Sequence, residues 1–239
     1  MSTAASVLAD LKSKGKENFR KIYLRQGLAA DRVYGVSVAY LRTIAKNIGQ
    51  NQDLALELYA TGIMDAMYLA GMLADGAQMT SEQLNQWAEA AANMQMVSEF
   101  TVPWVAVESP HGTHLAPLWI QSPLEHVASA GWCTVSGLVA TVRDGALDLN
   151  ELESLINTTV REIHTAPNRV RYNMNGFIIA VGIHIKPLHD QARAAAAEIG
   201  PVHVDMMGDT NSKVPKALDQ IALAEFLGRI GQKRKSIRC

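Results

Sequence analysis

Glu99 lies in Gln95-Met96-Val97-Ser98-Glu99-Phe100-Thr101-Val102-Pro103-Trp104, a largely apolar stretch with helical spacing. A lone carboxylate among apolar neighbours is costly to bury unless it is paired or functional. Glu99 is therefore a candidate functional carboxylate; the alternative is that it faces solvent. A second constellation is Arg169-Val170-Arg171-Tyr172-Asn173-Met174-Asn175, which sets cations, an aromatic ring and two amides at one helix start. Such groups suit phosphate contacts, the arginine fork above all. An ordinary solvated first turn is the competing reading. The third is the tail, where Lys233, Arg234, Lys235 and Arg238 fall within six residues. It reads either as a solvated terminus or as a phosphate clamp whose affinity falls with salt.

Other reactive side chains read more simply. His111 and His114 could share a helix face, but no nearby glutamate or third ligand completes a metal site, so none is expected. His184 and His189 straddle Pro187 and do not share a face. Cys133 follows Trp132 near a helix start and reads as a small buried residue rather than a thiolate. There is no phosphate-cradling glycine loop, and no cofactor is expected. The ten methionines read as core filler.

The chain has 239 residues, 48% apolar and 19% charged, with net charge −1. That excludes a disordered chain and gives ample material for a core. Two cysteines exclude a disulfide framework. No window is apolar enough for a bilayer span, and no signal core precedes a cleavage site, so the cytosol is the expected compartment, at the nucleoid if the chain binds DNA. The net charge argues against a polyanion partner only until it is divided. Residues 1–50 carry +6, residues 51–165 carry −12 and residues 166–239 carry +5. Basic ends around an acidic middle predict a basic face, on which Arg20, Lys21, Arg42, Lys46, Arg169 and Arg171 should meet.

The elements that position these groups are helices. Apolar residues recur at helical period from Val7 to Leu11 and from Phe19 to Tyr23. Ser37 is the expected N-cap of a helix with Leu41 and Ile44 inward, ending at Gly49. Further helices are predicted around Leu54–Tyr59, Met64–Met72 and, after a Thr80-Ser81-Glu82-Gln83 cap, Leu84–Ala91. Others follow over 94–108, 112–121, 123–143, 148–162, 168–186, 188–199 and 214–227. Only 201–205 alternates as a strand would. The class is all-α. Consecutive helix pairs on short connectors suggest an α-solenoid of divergent HEAT-like repeats, with a compact bundle as the alternative. One domain over 1–239 is expected, less regular and basic from about residue 200.

Tyr34-Gly35-Val36-Ser37-Val38-Ala39-Tyr40-Leu41-Arg42-Thr43-Ile44-Ala45-Lys46 resembles the N-terminal signature of the DNA alkylation repair family, HEAT-like-repeat glycosylases that remove alkylated purines. Gly35, Val36, Arg42 and Lys46 fit its pattern. Met67-Tyr68-Leu69-Ala70, the order of helix pairs, and Val204–Pro215 with the basic tail extend the likeness over most of the chain. The resemblance implies an armadillo-type superhelix whose basic concave face holds double-stranded or damaged DNA. It also implies a carboxylate that stabilises an oxocarbenium-like sugar, rings packed near the lesion, and an arginine on the phosphate. In register with the family, the carboxylate falls on Glu99 and one ring on Phe177. A second ring falls on Gln95 and the arginine near Val135, which are departures. The implied DNA contacts are Arg20, Lys21, Arg42, Lys46, Arg169, Arg171, Tyr172, Lys213, Lys233, Arg234 and Lys235. The expected function is DNA binding related to base-excision repair, with base excision altered or lost. The alternatives are a non-enzymatic DNA-structure binder and a protein-interaction scaffold.

Overall fold

The structure is a computed structural model that describes residues 2–207 and 213–238. Among these the chain is all helical, with thirteen α-helices and no strand. Where the sequence predicts one domain, the described residues cluster as two compact units, each built on its own apolar centre. The first comprises residues up to Gly112, with Met207 and Arg238; the second comprises Thr113–Met206 and 213–237.

The first unit holds α1 (Ala4–Lys14), α2 (Glu17–Arg25), α3 (Val38–Ile48), α4 (Gln52–Ala60), α5 (Met64–Leu73), α6 (Ser81–Ala90) and α7 (Val102–Glu108). Local chemistry sets several of their starts. Ser37 Oγ accepts the Tyr40 N–H and caps α3. Thr80 and Gln83 exchange side-chain and backbone bonds in a capping box at α6. Helix α5 is the centre of the unit: nearly every residue is buried, including Asp65. A helix buried on all sides carries no amphipathic stripe, which is why its pattern reads as continuous apolar sequence. Tyr59 stacks on Trp87 with ring centroids 3.8 Å apart.

Asp65 is completely buried and needs donors to stay there. Its oxygens accept the N–H groups of Tyr34 at 2.7 Å, Gly35 at 3.3 Å and Val36 at 2.7 Å. Directing successive amides at one carboxylate puts Gly35 at φ +81°, in the left-handed region. A Cβ there would stand 2.6 Å from the Lys16 carbonyl oxygen and 2.7 Å from the Arg20 nitrogen. One carboxylate therefore fixes the entry to α3 and, through Gly35, the start of α2. Burial, and then the nearby Asp65 charge, push the Tyr23 hydroxyl up from 10.0 to about 12.

The second unit holds α8 (Gly112–Ile120), α9 (Glu125–Thr141), α10 (Leu149–Glu162), α11 (Asn168–His184), α12 (His189–Ile199) and α13 (Ala217–Phe226). Helices α9 and α11 form its main pair, and α11 also packs on α12 and α13. Their shared core includes Trp132, Ile156, Ile163, Phe177, Val181 and Ile185. In both units helices meet the next but one as well as the next, as α3 meets α5 and α9 meets α11. That is how stacked helix pairs bury a continuous core.

Two local expectations change. The predicted helix over 94–108 is interrupted by a π-turn at Val97–Thr101. Pro103 has no N–H for the Glu99 carbonyl four residues back, and the Val102 N–H reaches five residues back to Val97. The alternating run at 201–205 belongs to no sheet.

Asp65→Ala strands three amides, two of them in buried bonds, and should cost about 3 kcal/mol in urea unfolding, with Asp65→Asn intermediate. Because the folded Tyr23 holds its proton above 10.0, its contribution to stability is full below that pH and is lost as pH rises toward about 12. Tyr23→Phe should therefore unfold with a shallower alkaline loss of stability over that window than the wild type.

Candidate nucleic-acid interface

Glu99 sits on the π-turn, half-buried, between buried Ser98 and half-exposed Phe100. Phe100 meets Trp104 edge-on at 6.1 Å, and Trp104 meets Tyr68 of α5 at 5.1 Å. The turn is pressed against α5 at Gly71, where a Cβ would lie 2.5 Å from Thr101 Cγ2. A carboxylate beside an accessible ring on a rigid support could stabilise a cation. The family's other positions do not help it. Gln95 is half-buried on the same stretch and brings no ring. Val135 and Phe177 lie in the core of the second unit, 5% and 0% exposed, with Phe177 packed on Trp132 at 5.2 Å. The expectation that Phe177 offers its ring to a sugar is corrected: the ring has no surface.

The Arg169–Asn175 cluster turns mostly inward. Arg171 donates from Nη1 to the His203 carbonyl at 2.7 Å and from Nη2 to the Ala166 carbonyl at 3.0 Å. Asn168 and Asp205 exchange two bonds of 2.8 Å, and Asn175 Nδ2 donates to the Pro215 carbonyl at 2.9 Å. These groups fasten the run before α13 onto α11, so Arg171 serves structure rather than phosphate. The Arg169 N–H donates to Glu125 at 2.6 Å, and its guanidinium lies 4.3 Å from the Tyr172 ring centre, a cation–π pair that leaves both partly accessible. Residues 208–212 of the Val204–Pro215 stretch lie outside the described residues, as does Cys239. Lys213 is exposed.

The basic tail divides. Lys233 Nζ donates to the Val139 carbonyl at the end of α9 and pairs with Asp144, each at 2.8 Å. A cation at a helix C-terminus is favourable, and this one is spent there. The Arg234 N–H donates to the Ala140 carbonyl, and the Gln232 carbonyl takes a bond from His184 Nδ1 at 2.6 Å. Burial pushes the His184 imidazole below its ordinary range, against the raising effect of that carbonyl bond. In the first unit, Arg238 grips Glu108 and donates to the Gly71 and Ala74 carbonyls at 2.6 and 3.0 Å. The side chains of Arg234 and Lys235 remain exposed.

Exposed cations concentrate on α1 to α3. Lys12, Lys14, Lys16, Lys21, Arg25, Arg42 and Lys46 are all exposed. Lys21 and Arg25 are one turn apart on α2, as Arg42 and Lys46 are on α3. Of the three carboxylates here, Asp31 is exposed between α2 and α3, and the other two are engaged. Asp10 accepts the Tyr40 hydroxyl at 3.0 Å, a bond that raises the Tyr40 pKa, and Glu17 pairs with Arg20 at 3.5 Å. Arg20 also donates to the Ala30 carbonyl at 2.6 Å, so it positions α2 more than it faces solvent. Of the expected basic face, Arg20, Lys21, Arg42 and Lys46 lie in the first unit, Arg169 and Arg171 in the second. Lys12, Lys14, Lys16 and Arg25 belong to the same N-terminal excess of charge over residues 1–50.

An all-helical stack of helix pairs bearing a basic N-terminal region matches proteins already known. The sequence pattern described as DNA alkylation repair enzyme matches residues 6–207, and the chain belongs to that family. The uncharacterized protein Lmo0209 of Listeria monocytogenes is 29% identical over 227 residues, covering 94% of this chain and 98% of its own. Lin0241 of Listeria innocua, also uncharacterized, gives the same values. A solved structure is 35% identical over all of both chains with a TM-score of 0.87, and it shows that the fold is that of the HEAT-like repeat glycosylases. That protein is described as one of a new family related to the HEAT-like repeat DNA glycosylases with affinity for branched DNA structures. Among the described residues, no helix is long and apolar enough to cross a membrane.

Arg171→Gln should release the run that it holds, raising amide exchange at 203–206 several-fold, as expected for losing two charge-assisted bonds, one exposed and one part-buried.

Proposed function

We propose that the chain binds DNA, branched DNA in preference to continuous duplex, without excising bases. The observation that carries this reading is the set of seven exposed cations on and between α1 to α3, against which, among the described residues, stands one exposed carboxylate outside an ion pair, Asp31. Phosphates drawn to such a surface release counterions, which supplies affinity without sequence preference. The affinity of the solved relative for branched DNA supports the choice of partner. Exposed Lys213, Arg234 and Lys235 of the second unit would add phosphate contacts. Against excision stands the composition of the site. Base excision of the family's kind needs a carboxylate, rings and a phosphate-holding arginine together. Here the family's ring position one turn before Glu99 is Gln95, and the remaining positions are core residues, so among the described residues Phe100 beside Glu99 is the one exposed ring near the carboxylate.

In gel shifts at several salt concentrations, log affinity for a four-way junction should fall linearly with log salt, and the junction should bind more tightly than a duplex of equal length. Replacing Arg42 and Lys46 by glutamine should lower the slope by roughly one for each phosphate no longer neutralised. Duplex carrying methylated purines should release no base, with wild type and Glu99→Gln alike. No binding at low salt, or release that depends on Glu99, contradicts the reading.

A further inference from the structure

Phosphate contacts tell a junction from a duplex only through the path of the backbone. A group that meets unstacked or splayed bases adds a distinction that only the branch point offers. Helix α2 has the composition for this. It is nine residues long and contains no buried residue. Arg20, Tyr23 and Leu24 are its less exposed side chains, and Arg20 and the close approach of Gly35 hold it in place. One turn apart on the same helix, Phe19 and Ile22 are left 38% and 37% exposed. Exposed Lys16, Lys21 and Arg25 surround them, and the helix's one carboxylate, Glu17, is paired to Arg20. An apolar pair set among cations is complementary to a polyanion that also exposes flat apolar faces.

A second apolar patch sharpens the contrast. Leu223, Phe226 and Leu227 at the end of α13 are more exposed still, Phe226 at 86%. Their neighbour Glu225 pairs with Arg193 of α12 at 3.8 Å. That patch has one further exposed cation close in sequence, Arg229, against Lys16, Lys21 and Arg25 at α2.

We infer that Phe19, with Ile22 beside it, stacks against unpaired or unstacked bases at the branch point, while Lys21 and Arg25 hold the flanking phosphates. The inference rests on the DNA-binding reading above and assigns its specificity to α2. A ring on a base face contributes by stacking and tolerates any sequence, and a basic groove tracks the backbone beside it.

The test is a set of dissociation constants for a four-way junction and for a duplex of equal length, at fixed and varied salt. Phe19→Ala should weaken junction binding by about five-fold or more, the size expected for removing one base–ring stack. Duplex affinity should change less than two-fold, and the salt slope should stay constant because every phosphate-binding cation is still present. Phe19→Trp should keep the preference, and Phe226→Ala should leave both constants unchanged. Lys21→Gln with Arg25→Gln should weaken both DNAs and lower both slopes. An unchanged preference in Phe19→Ala, or an equal loss in Phe226→Ala, overturns the inference while leaving DNA binding intact. Wild type that binds neither DNA at low salt defeats the parent reading instead. Binding to anionic phospholipid vesicles that is lost in Phe19→Ala, with junction affinity unchanged, assigns α2 to a membrane surface and also overturns the inference.

Discussion

Asp65 is a carboxylate in the first turn of a helix buried on every side, and the first unit is arranged to keep it there. Its two oxygens take the amides of Tyr34, Gly35 and Val36. Such a carboxylate cannot lose a donor cheaply, because the desolvated charge remains. The loop must therefore pass at one place with its amides turned inward, and only a residue without a Cβ fits at Gly35. Directly after the loop, Ser37 starts α3. Directly against it, Lys16 and Arg20 place α2. The basic helices thus inherit their positions from a negative charge that never reaches the surface.

This division of labour between charges recurs across the molecule. Arg171, Lys233 and Arg238 look in sequence like groups waiting for a phosphate. Each instead donates to backbone carbonyls: at His203 and Ala166, at Val139, and at Gly71 and Ala74. Carbonyls at helix ends and in extended runs need donors as much as phosphates do. An arginine or lysine that satisfies them has fewer donors left for a partner. What remains available for DNA is set by what folding has not already used, and its densest group along the chain lies on and between α1 to α3.

The helices were legible because period and caps are local properties. Ser37 and Thr80 cap as their sequence contexts predict, and Gly49 and Gly62 end helices as positive-φ residues. The π-turn was foreshadowed by Pro103 but not read from it. The His203 partner of Arg171 and the Val139 partner of Lys233 lie 32 and 94 residues away in sequence, so no spacing rule reaches them. Phe177 was placed by analogy as a surface ring, yet its neighbours on α11 make it a core residue. The reasoning applied to Glu99, that a carboxylate in an apolar helix demands an explanation, fits Asp65 better. There it finds a structural answer rather than a catalytic one.

The central claim is that the N-terminal helices carry the DNA surface. Lysine acetylation read by mass spectrometry, with and without a saturating four-way junction, addresses it directly. The account predicts strong protection of Lys12, Lys16, Lys21 and Lys46. Lys233, already held between Val139 and Asp144, should react slowly in both states. Equal reactivity of the first-unit lysines with and without DNA would contradict it.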